Sequence, residues 1–408
     1  MYFQTLDDKG ECVGVYKGGE LFYGELPEGL KRTWKYAEYL DDQDIEYASL
    51  YCKNPSLESA CPSYLIDDWV AVENKLKAYY RSFVLAKVNM NENCFFDLVP
   101  KPFLMAYCKI RNKITKYVFE NYEKPQNYYF LSDLTKVLTS IRNQKLNIDV
   151  SSLSGQAHLA KFRKAMKKYA QIDPYCRYNI SGTKTGRLTT QKNSFPIMTM
   201  DKDFRSIVKP QNDWFVELDF NAAELRTLIA LGGATMPPED LHQWNATNLF
   251  NARTTRVEAQ QRLFSWLYDE NKENAALSKI YDRDKVRSKF WIDGVVKTMF
   301  GREIEADRSH ALNYIIQSTT ADLVLRQVIK IYDFLKNKDS FISFTIHDNI
   351  VLDIPDKERY IIPEMIEIFS DTALGKFKVN VKAGKSFGEL RTLNYEYYWT
   401  RKGGLCNR

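Results

Sequence analysis

A short apolar segment interrupted by three polar residues constrains this chain more than any other feature. The segment FTIHDNIVLDIP, residues 344–355, consists of two β-like runs with His347, Asp348 and Asn349 between them. Asp and Asn tolerate positive φ, so polar residues joining two such runs predict a tight hairpin. The same turn would also hold a carboxylate at a rigid tip. From this stretch alone, a simple turn and a functional Asp348 are both open.

A second carboxylate ends a predicted buried strand. In WFVELDFNAAELRTLIALGG, which starts at Trp214, the first five residues predict a strand, and Asp219 follows directly. A helix is predicted over 222–231, ended by a pair of glycines. Asn221 and Glu224 have the spacing of a capping box, a purely structural role. Asp219 has no capping partner at the right distance, so a structural and a functional role both stay open for it.

The bulk composition indicates an intracellular protein of several lobes. The chain has 408 residues, of which 44% are hydrophobic, and a chain of this length suits two to four lobes. It contains no run of eighteen apolar residues, and its start lacks the pattern of a signal peptide, so we expect a cytoplasmic protein. The seven cysteines are scattered without a CxxC pair. This predicts reduced thiols, with neither a disulfide framework nor a zinc site.

Charge is unevenly distributed along the chain. Residues 1–65 carry a net charge of −6, whereas residues 101–170 carry +10. Lysine and arginine at this density favour a polyanionic partner, although a solvated helix face is the alternative. HLAKFRKAMKKYAQI, from His158 to Ile172, predicts a basic helix with one apolar face. That face comprises Leu159, Phe162, Ala165, Met166 and Tyr169.

Arg256, Gln260, Phe264 and Tyr268 follow one another at intervals of four residues. On a helix, this spacing forms one slowly winding stripe. A guanidinium followed by aromatic rings suits a triphosphate with a stacked base. The alternative is that the aromatic residues belong to a hydrophobic core.

Taken in order, these segments resemble the polymerase part of family A DNA polymerases. TGRLTT is similar to the family's TGRLSS element, and LDFNAAELR matches DYSxxELR at Asp219, Glu224, Leu225 and Arg226. EDLHQWNATNLF resembles the segment with a nucleotide-contacting histidine, here His242. Arg256, Phe264 and Tyr268 match the RxxxKxxxFxxxY helix. KTMFGRE, HALNYIIQSTTADLV and IHDNIV resemble the TxxGR, NxxxQGTAAD and HDE segments. The resemblance covers roughly residues 180–355.

The resemblance implies an α/β (α+β) right-hand fold with an antiparallel palm sheet, helical fingers and a helical thumb. We expect a small acidic N-terminal unit over 1–65, a basic helical thumb over 66–170, palm over 171–240 and 336–408, and fingers over 241–335. Residues 1–65 match no part of the family. They are the candidate docking unit for a clamp, a helicase or a separate exonuclease.

The resemblance assigns metal ions to the two aspartates. Asp219 and Asp348, with the backbone carbonyl of Phe220, would hold two Mg²⁺ ions, for which Mn²⁺ can substitute. Two such cations activate a primer 3′-hydroxyl and neutralise the leaving pyrophosphate.

Further roles follow from the same resemblance. His242 and Arg256 would bind the triphosphate, Phe264 would stack near the sugar and base, and Tyr268 would close the site against the template base. Glu224 would exclude a ribose 2′-hydroxyl. Gln260 lies on the same nucleotide-binding stripe. The residues expected to contact primer and template are Arg187, Asn313, Gln317 and His347.

Two positions depart from the family pattern. Gln260 stands where the family has lysine and has no proton to give to pyrophosphate. Asn349 stands where the family has glutamate. An alternative fingers register through Arg283, Arg287 and Trp291 lies too close to KTMFGRE.

The sequence therefore predicts a template-directed DNA polymerase with primer–template DNA and dNTP as partners. We expect it to be monomeric, nucleoid-associated, of phage or bacterial type, and without a DxE exonuclease site for 3′–5′ proofreading in the N-terminal region. Two alternatives stay open. One is a single-subunit RNA polymerase relative, which Glu224 disfavours. The other is a primer–template-binding protein that has lost turnover, which Gln260 favours.

Overall fold

The structure is a computed structural model that describes residues 1–6, 13–52, 57–90, 92–250, 253–269 and 271–393. It forms two compact units, residues 1–139 and residues 140–408. The division falls inside the predicted thumb, so it does not follow the predicted domain boundaries, which stay predictions. Among the described residues, no helix is long and apolar enough to cross a membrane.

The first unit combines small sheets with helices. Its strands are β1 Gln4–Thr5, β2 Gly14–Lys17, β3 Glu20–Tyr23, β4 Arg32–Thr33 and β5 Glu46–Tyr47, and its helices are α1 Leu57–Ala60, α2 Ile66–Leu85, α3 Phe95–Leu98, α4 Lys101–Asn121 and the start of α5 Tyr128–Asn143. Trp34 and Ala48 share a core with Trp69 on α2 and with Ile114 on α4. Residues 1–65 therefore pack directly against the first predicted thumb helices.

The cysteines of this unit correct one expectation. Cys94 is disulfide-bonded, and its partner lies outside the described residues. Cys52, Cys61 and Cys108 of this unit are free thiols, as is Cys176 of the second unit. The prediction of uniformly reduced thiols is therefore wrong at Cys94. Scattered spacing without a CxxC pair does not reveal a bond between residues that are distant in sequence.

The second unit contains the largest sheet and most of the helices. Before that sheet come β6 Asn147–Ile148, α6 Ala160–Tyr169, β7 Tyr178–Asn179, β8 Thr189–Thr190 and β9 Val208–Lys209. Next come β10 Trp214–Phe220, α7 Ala223–Gly232, α8 Leu241–Asn248, α9 Arg256–Leu267, α10 Ala275–Ile280 and α11 Arg283–Phe290. The chain continues with β11 Trp291–Ile292, β12 Val295–Lys297, β13 Glu303–Glu305, α12 Arg308–Leu335, β14 Phe341–Ile346, β15 Asn349–Ile354, α13 Ile362–Ser370, β16 Asp371–Thr372, β17 Gly375–Lys376, β18 Val379–Gly384 and β19 Arg391–Thr392.

Strand β10 lies at the centre of a five-stranded sheet with the order β14-β15-β10-β18-β19. It pairs antiparallel with both β15 and β18. Because side chains alternate between the faces of a sheet, Phe220 and Asp219 point to opposite sides. The ring of Phe220 stacks on Phe369 of α13 at 4.4 Å. Helix α13 therefore packs on the Phe220 face, and the Asp219 face is left for polar groups.

The predicted mixed helix and sheet fold is confirmed, with local corrections. Helix α6 buries Phe162, Ala165 and Tyr169 as predicted, but Leu159 precedes the helix and is 44% exposed. The region 241–335, predicted to form helical fingers, includes the small sheet β11-β12-β13. Its strands are only two or three residues long, too short for their alternation to stand out from the surrounding helices.

Candidate active site

Of the two aspartates predicted to hold metal, Asp219 lies in the central sheet and Asp348 lies in the hairpin turn beside it. Asp219 near the end of β10 is directly opposite Asn349, the first residue of β15. The hairpin between β14 and β15 is closed by the pair Ile346 and Asn349, so its two turn residues are His347 and Asp348. His347 has a φ of +51°. The predicted tight turn is confirmed, and strand register brings its tip to the end of β10.

The surroundings of this pair shift both acids in the same direction. Burial raises the pKa of Asp219 to about 6, with Glu217 and Asp348 adding to the rise and Asn380 and Lys382 opposing it. Burial also raises the pKa of Asp348, against the lowering effect of Arg187 and His347. A partly buried pair of carboxylates favours any neighbour that carries positive charge.

Glu224 does not cap the following helix. The residue before α7 is Ala222, in the left-handed region at φ +53°, and it makes no side-chain capping bond. The Asn221 side chain instead accepts from the backbone N–H of Leu241 and donates to Asp240. The possible capping box is therefore wrong, because Asn221 is engaged in contacts with a distant segment.

Glu224 pairs instead with Arg187, whose guanidinium donates to its carboxylate at 2.5 Å. Burial and Asp348 raise the pKa of Glu224, while Arg187 lowers it. Arg187 also acts on Tyr268, whose pKa burial and Glu224 raise to about 12. The structure thus brings Arg187, Glu224, Tyr268 and Asp348 into one electrostatic neighbourhood.

A buried ion pair supports the loop that carries Arg187. Arg302 donates to Asp322 from Nε at 3.2 Å and from Nη2 at 2.6 Å, and Asp322 is only 1% exposed. A Cβ on Gly186, which has a φ of +81°, would come within 2.5 Å of the Arg302 guanidinium. Thr185 donates to the Gln317 side chain at 2.8 Å. Sequence reasoning missed the ion pair, although both residues stand inside quoted motifs.

Arg256 and His242 form a second group around Asp240. Arg256 donates to both oxygens of Asp240, at 3.1 and 3.0 Å. Burial acts to raise the pKa of Asp240, but hydrogen bonds from Arg256, Gln243 and Asn221 bring it well below its usual range. Burial, followed by Arg256, lowers the pKa of His242. The buried Nδ1 of His242 has no hydrogen-bond partner among the described residues.

The predicted stripe runs along α9, with Tyr268 directly after its last residue. Phe264 stacks on Tyr268 with their planes 8° apart and their centroids 6.2 Å apart. Phe264 also packs against the hydrophobic core, so both interpretations of this residue hold in part. Gln260 is partly exposed.

The alternative fingers register is not available for binding a nucleotide. Arg283 is buried, and its guanidinium donates to the backbone carbonyls of Trp266, Asp269 and Lys272. Arg287 is also buried and pairs with Asp284. Both side chains serve the structure of the helical region.

The residues expected to contact primer and template are placed unevenly. Arg187 lies in the loop that Gln317 contacts through Thr185, and Arg187 itself pairs with Glu224. His347 is exposed beside Asp348. Asn313 is partly buried on α12, and no described contact joins it to the others.

The carboxylate pair fits divalent cations. Mg²⁺ is commonly bound by one or two carboxylates together with water and substrate phosphates. Asp219 and Asp348 would supply the carboxylates, and the Phe220 carbonyl is the expected backbone ligand. Across the described ranges, no group of three or more His, Cys, Asp or Glu side chains is arranged to hold a metal. Phosphates and water would complete the coordination.

The N-terminal region does contain one DxE spacing, at Asp44 and Glu46, contrary to the sequence expectation. Glu46 accepts from Arg32 Nε at 2.9 Å and from Lys124 Nζ at 2.8 Å. Burial acts to raise the pKa of Glu46, and the two cations lower it below the usual value. Its carboxylate is neutralised by these two residues.

The sequence profile of DNA polymerase family A matches residues 267–389. Residues 267–389 are therefore similar to DNA polymerase family A. This segment includes the Arg302–Asp322 pair and the hairpin that carries Asp348. The other aspartate of the pair, Asp219, lies before the matched segment, and strand pairing places it opposite Asn349 within that segment.

Individual relatives extend the similarity beyond the matched segment. The chain is 23% identical to DNA polymerase I, thermostable, from Thermus filiformis, over 47% of this chain and 30% of that protein. It is 23% identical to DNA polymerase I from Borreliella burgdorferi, over 62% and 35% of the two chains. It is 27% identical to the DNA polymerase of Bacillus phage SP01, over 56% and 31%. The chain thus spans about a third of the length of these curated relatives.

The fold is similar to that of a solved polymerase domain. The POL domain of Pol1 from M. smegmatis, in a complex with DNA primer-template and dNTP, superposes with a TM-score of 0.58 over 85% of this chain and 83% of that one. Sequence identity in this comparison is 12%. The likeness therefore concerns the fold.

Proposed function

We propose that the protein is a template-directed DNA polymerase that adds deoxynucleotides to a primer 3′ end by two-metal-ion phosphoryl transfer, without 3′–5′ proofreading. The observation that carries the proposal is the register of β10 and β15, which brings Asp219 beside the hairpin tip with Asp348. The family A segment and the fold likeness support the same activity.

In this proposal the five-stranded sheet is the palm, α8 to α12 form the fingers, and the basic helices before β7 form the thumb. Asp219 and Asp348 hold Mg²⁺, which supplies a Lewis acid at the primer hydroxyl and the triphosphate. Strand pairing on both sides of Asp219 and closure of the β14–β15 hairpin beside Asp348 hold the backbone of the two carboxylates in place. Release of Arg256 from Asp240 would let its guanidinium bind the triphosphate, an exchange of one anionic partner for another.

Primer extension tests the proposed function. A 5′-labelled primer–template is incubated with the protein and Mg²⁺, with dNTPs or rNTPs in separate reactions. We expect extension with dNTPs that requires Mg²⁺ and follows the template, without shortening of the primer when nucleotides are absent. Preference for rNTPs would favour an RNA polymerase, and extension that ignores the template would contradict the proposal.

Glu224 is proposed to select the sugar. Replacing Glu224 by alanine removes the bulk that would meet a 2′-hydroxyl, so we expect the ratio of kcat/KM for dNTP over rNTP to fall at least about tenfold. Glu224→Gln is the matched control, because it keeps the size of the side chain and loses only its charge. A ratio unchanged in Glu224→Ala would remove Glu224 from sugar selection.

Helix α6 is proposed to bind the phosphate backbone of DNA. Lys164, Lys167 and Lys168 are exposed on the face opposite its buried residues. If each contacts one phosphate, replacing all three by alanine should reduce the slope of log K against log salt by about three. We expect affinity for primer–template to fall about tenfold or more at low salt, as measured by fluorescence anisotropy.

A control variant removes the same charge elsewhere in the second unit. Lys336, Lys357 and Lys376 pair with nearby carboxylates, and their joint replacement by alanine should leave the salt slope close to that of the wild type. An equal loss in both triple variants would show that only overall charge matters.

A primer–template-binding protein without turnover is the second candidate function, and Gln260 favours it. If the wild type extends primers, Gln260→Lys should raise the rate, because general acid catalysis contributes about 10²- to 10⁴-fold. Gln261→Lys, which places the same charge on another part of α9, is the control. If the wild type only binds primer–template and Gln260→Lys creates extension, the binding function is the correct one.

A further inference from the structure

A buried glutamate lies on the same face of the sheet as Asp219, and the proposed mechanism does not use it. Glu217 precedes Asp219 by two residues on β10, and it is 5% exposed. Lys382 of β18 is directly opposite Glu217, just as Asn380 is directly opposite Asp219. A carboxylate is rarely buried unless it is paired. Glu217 and Lys382 therefore form an ion pair next to Asp219.

Each oxygen of Glu217 has a partner on one of the two strands that flank β10. Oε1 accepts from Lys382 Nζ at 2.5 Å, and Oε2 accepts from Asn349 Nδ2 at 3.4 Å. Lys382 lies two residues along β18 from Asn380, which donates to the Asp219 carboxylate at 3.3 Å. Asn349 is the direct register partner of Asp219. Glu217 thus binds the ammonium group of Lys382 and the amide of Asn349, which lie on the strands to either side of Asp219.

The contact with Glu217 also orients the amide of Asn349. Rotating the amide by half a turn would place its oxygen against the Glu217 carboxylate, which repels it. The amide nitrogen therefore faces Glu217, and Oδ1 faces away. That oxygen is buried and has no hydrogen-bond partner among the described residues. An oriented acceptor without a partner, in register with Asp219, is suited to a hydroxyl, a water molecule or a cation.

We propose that Glu217 is a positioning residue of the carboxylate pair, and that it carries the negative charge which the HDE motif would place at position 349. The inference rests on the proposed function for its catalytic meaning. Glu217 fixes the orientation of the Asn349 amide. It also binds Lys382, so that Lys382 does not pair with Asp219 and the Asp219 carboxylate stays available to a divalent cation.

The two positions should then depend on each other. With Glu217 present, a glutamate at position 349 would place a second carboxylate beside it, and the two negative charges would repel each other with only Lys382 to share between them. When Glu217 is replaced by glutamine, a glutamate at position 349 would restore the missing negative charge and form an ion pair with Lys382. Asn349→Glu should therefore help only when Glu217 is replaced by glutamine.

Mn²⁺ binding measured by electron paramagnetic resonance tests this dependence on the full chain, without DNA or nucleotide. Partners of metal ligands typically contribute about 10- to 100-fold to affinity, so we expect Glu217→Gln to weaken Mn²⁺ binding at least about tenfold. Asn349→Glu alone should not tighten it. The double variant should return to within about threefold of the wild type, and the half-saturating Mg²⁺ concentration for extension should follow the same order.

Asp353→Asn serves as the control for general damage to the sheet. Asp353 is buried further along β15, where it accepts from the backbone N–H groups of Gln211 and Asn212. Its replacement should lower the unfolding temperature without changing Mn²⁺ affinity, and circular dichroism shows whether each variant is folded.

Three outcomes separate this inference from the proposed function. Folded Glu217→Gln with Mn²⁺ affinity within twofold of the wild type overturns the inference, as does a double variant no better than Glu217→Gln. A wild type that shows the predicted Mn²⁺ pattern but does not extend primers supports the inference and contradicts the proposed function. A wild type that binds no Mn²⁺ under these conditions overturns the inference, whereas the proposed function is decided separately by primer extension.

Discussion

Asp348→Asn is expected to abolish primer extension while leaving affinity for primer–template close to that of the wild type. The substitution keeps the size of the side chain, and asparagine suits a tight turn as well as aspartate does. It removes one of the two charges proposed to hold Mg²⁺. Losing a single preorganised donor to a transition state costs about 10²- to 10³-fold, so we expect a loss on the order of 10³-fold or more.

Single-turnover extension and fluorescence anisotropy measure the two quantities separately. Asp356→Asn is the matched control, because Asp356 lies just beyond β15 and accepts from the Trp214 indole N–H at 2.6 Å. This control should extend primers at nearly the wild-type rate. Unchanged extension by Asp348→Asn would remove Asp348 from the metal site, and a parallel loss of DNA binding would point to damage of the hairpin.

The sequence predicted those parts of the site that depend only on residues close together in the chain. Alternating apolar residues with two turn formers fix the β14–β15 hairpin, and the end of an apolar run fixes Asp219 near the end of β10. Their adjacency depends on a pairing between segments 129 positions apart in the printed sequence. Register of this kind is set by the packing of the whole sheet. That Asp219 and Asp348 lie next to each other was predicted from the family resemblance and did not follow from the alternation of residues along the strands.

The errors arose where a distant partner overrode a local rule. Asn221 and Glu224 have capping-box spacing, but Asp240 and Leu241 engage Asn221 and Arg187 engages Glu224. Glu217 did carry a readable signal, because a glutamate inside a predicted buried strand requires a partner. The sequence did not identify that partner, since Lys382 comes opposite it only after β18 pairs with β10.

Asp322→Leu is expected to have the largest effect on stability. Burial raises the pKa of Asp322, and Arg302 opposes that rise only in part. The charged pair is therefore costly to bury, and its net contribution to stability is small. Removing only Asp322 is different, because it leaves the Arg302 guanidinium largely buried without its anion. Breaking a buried pair in this way costs about 3–5 kcal/mol of unfolding free energy.

The double variant Arg302→Met with Asp322→Leu shows how much of the lost stability is due to the unpaired charge of Arg302. Replacing a whole buried ion pair with apolar side chains is often neutral, so we expect the double variant to recover most of the stability lost in Asp322→Leu, as measured by urea denaturation. Activity should not recover with it. Arg302 lies against Gly186, beside Arg187, so loss of its guanidinium loosens the loop that pairs with Glu224. Recovery of both properties together would show that the pair serves stability alone and does not position Arg187.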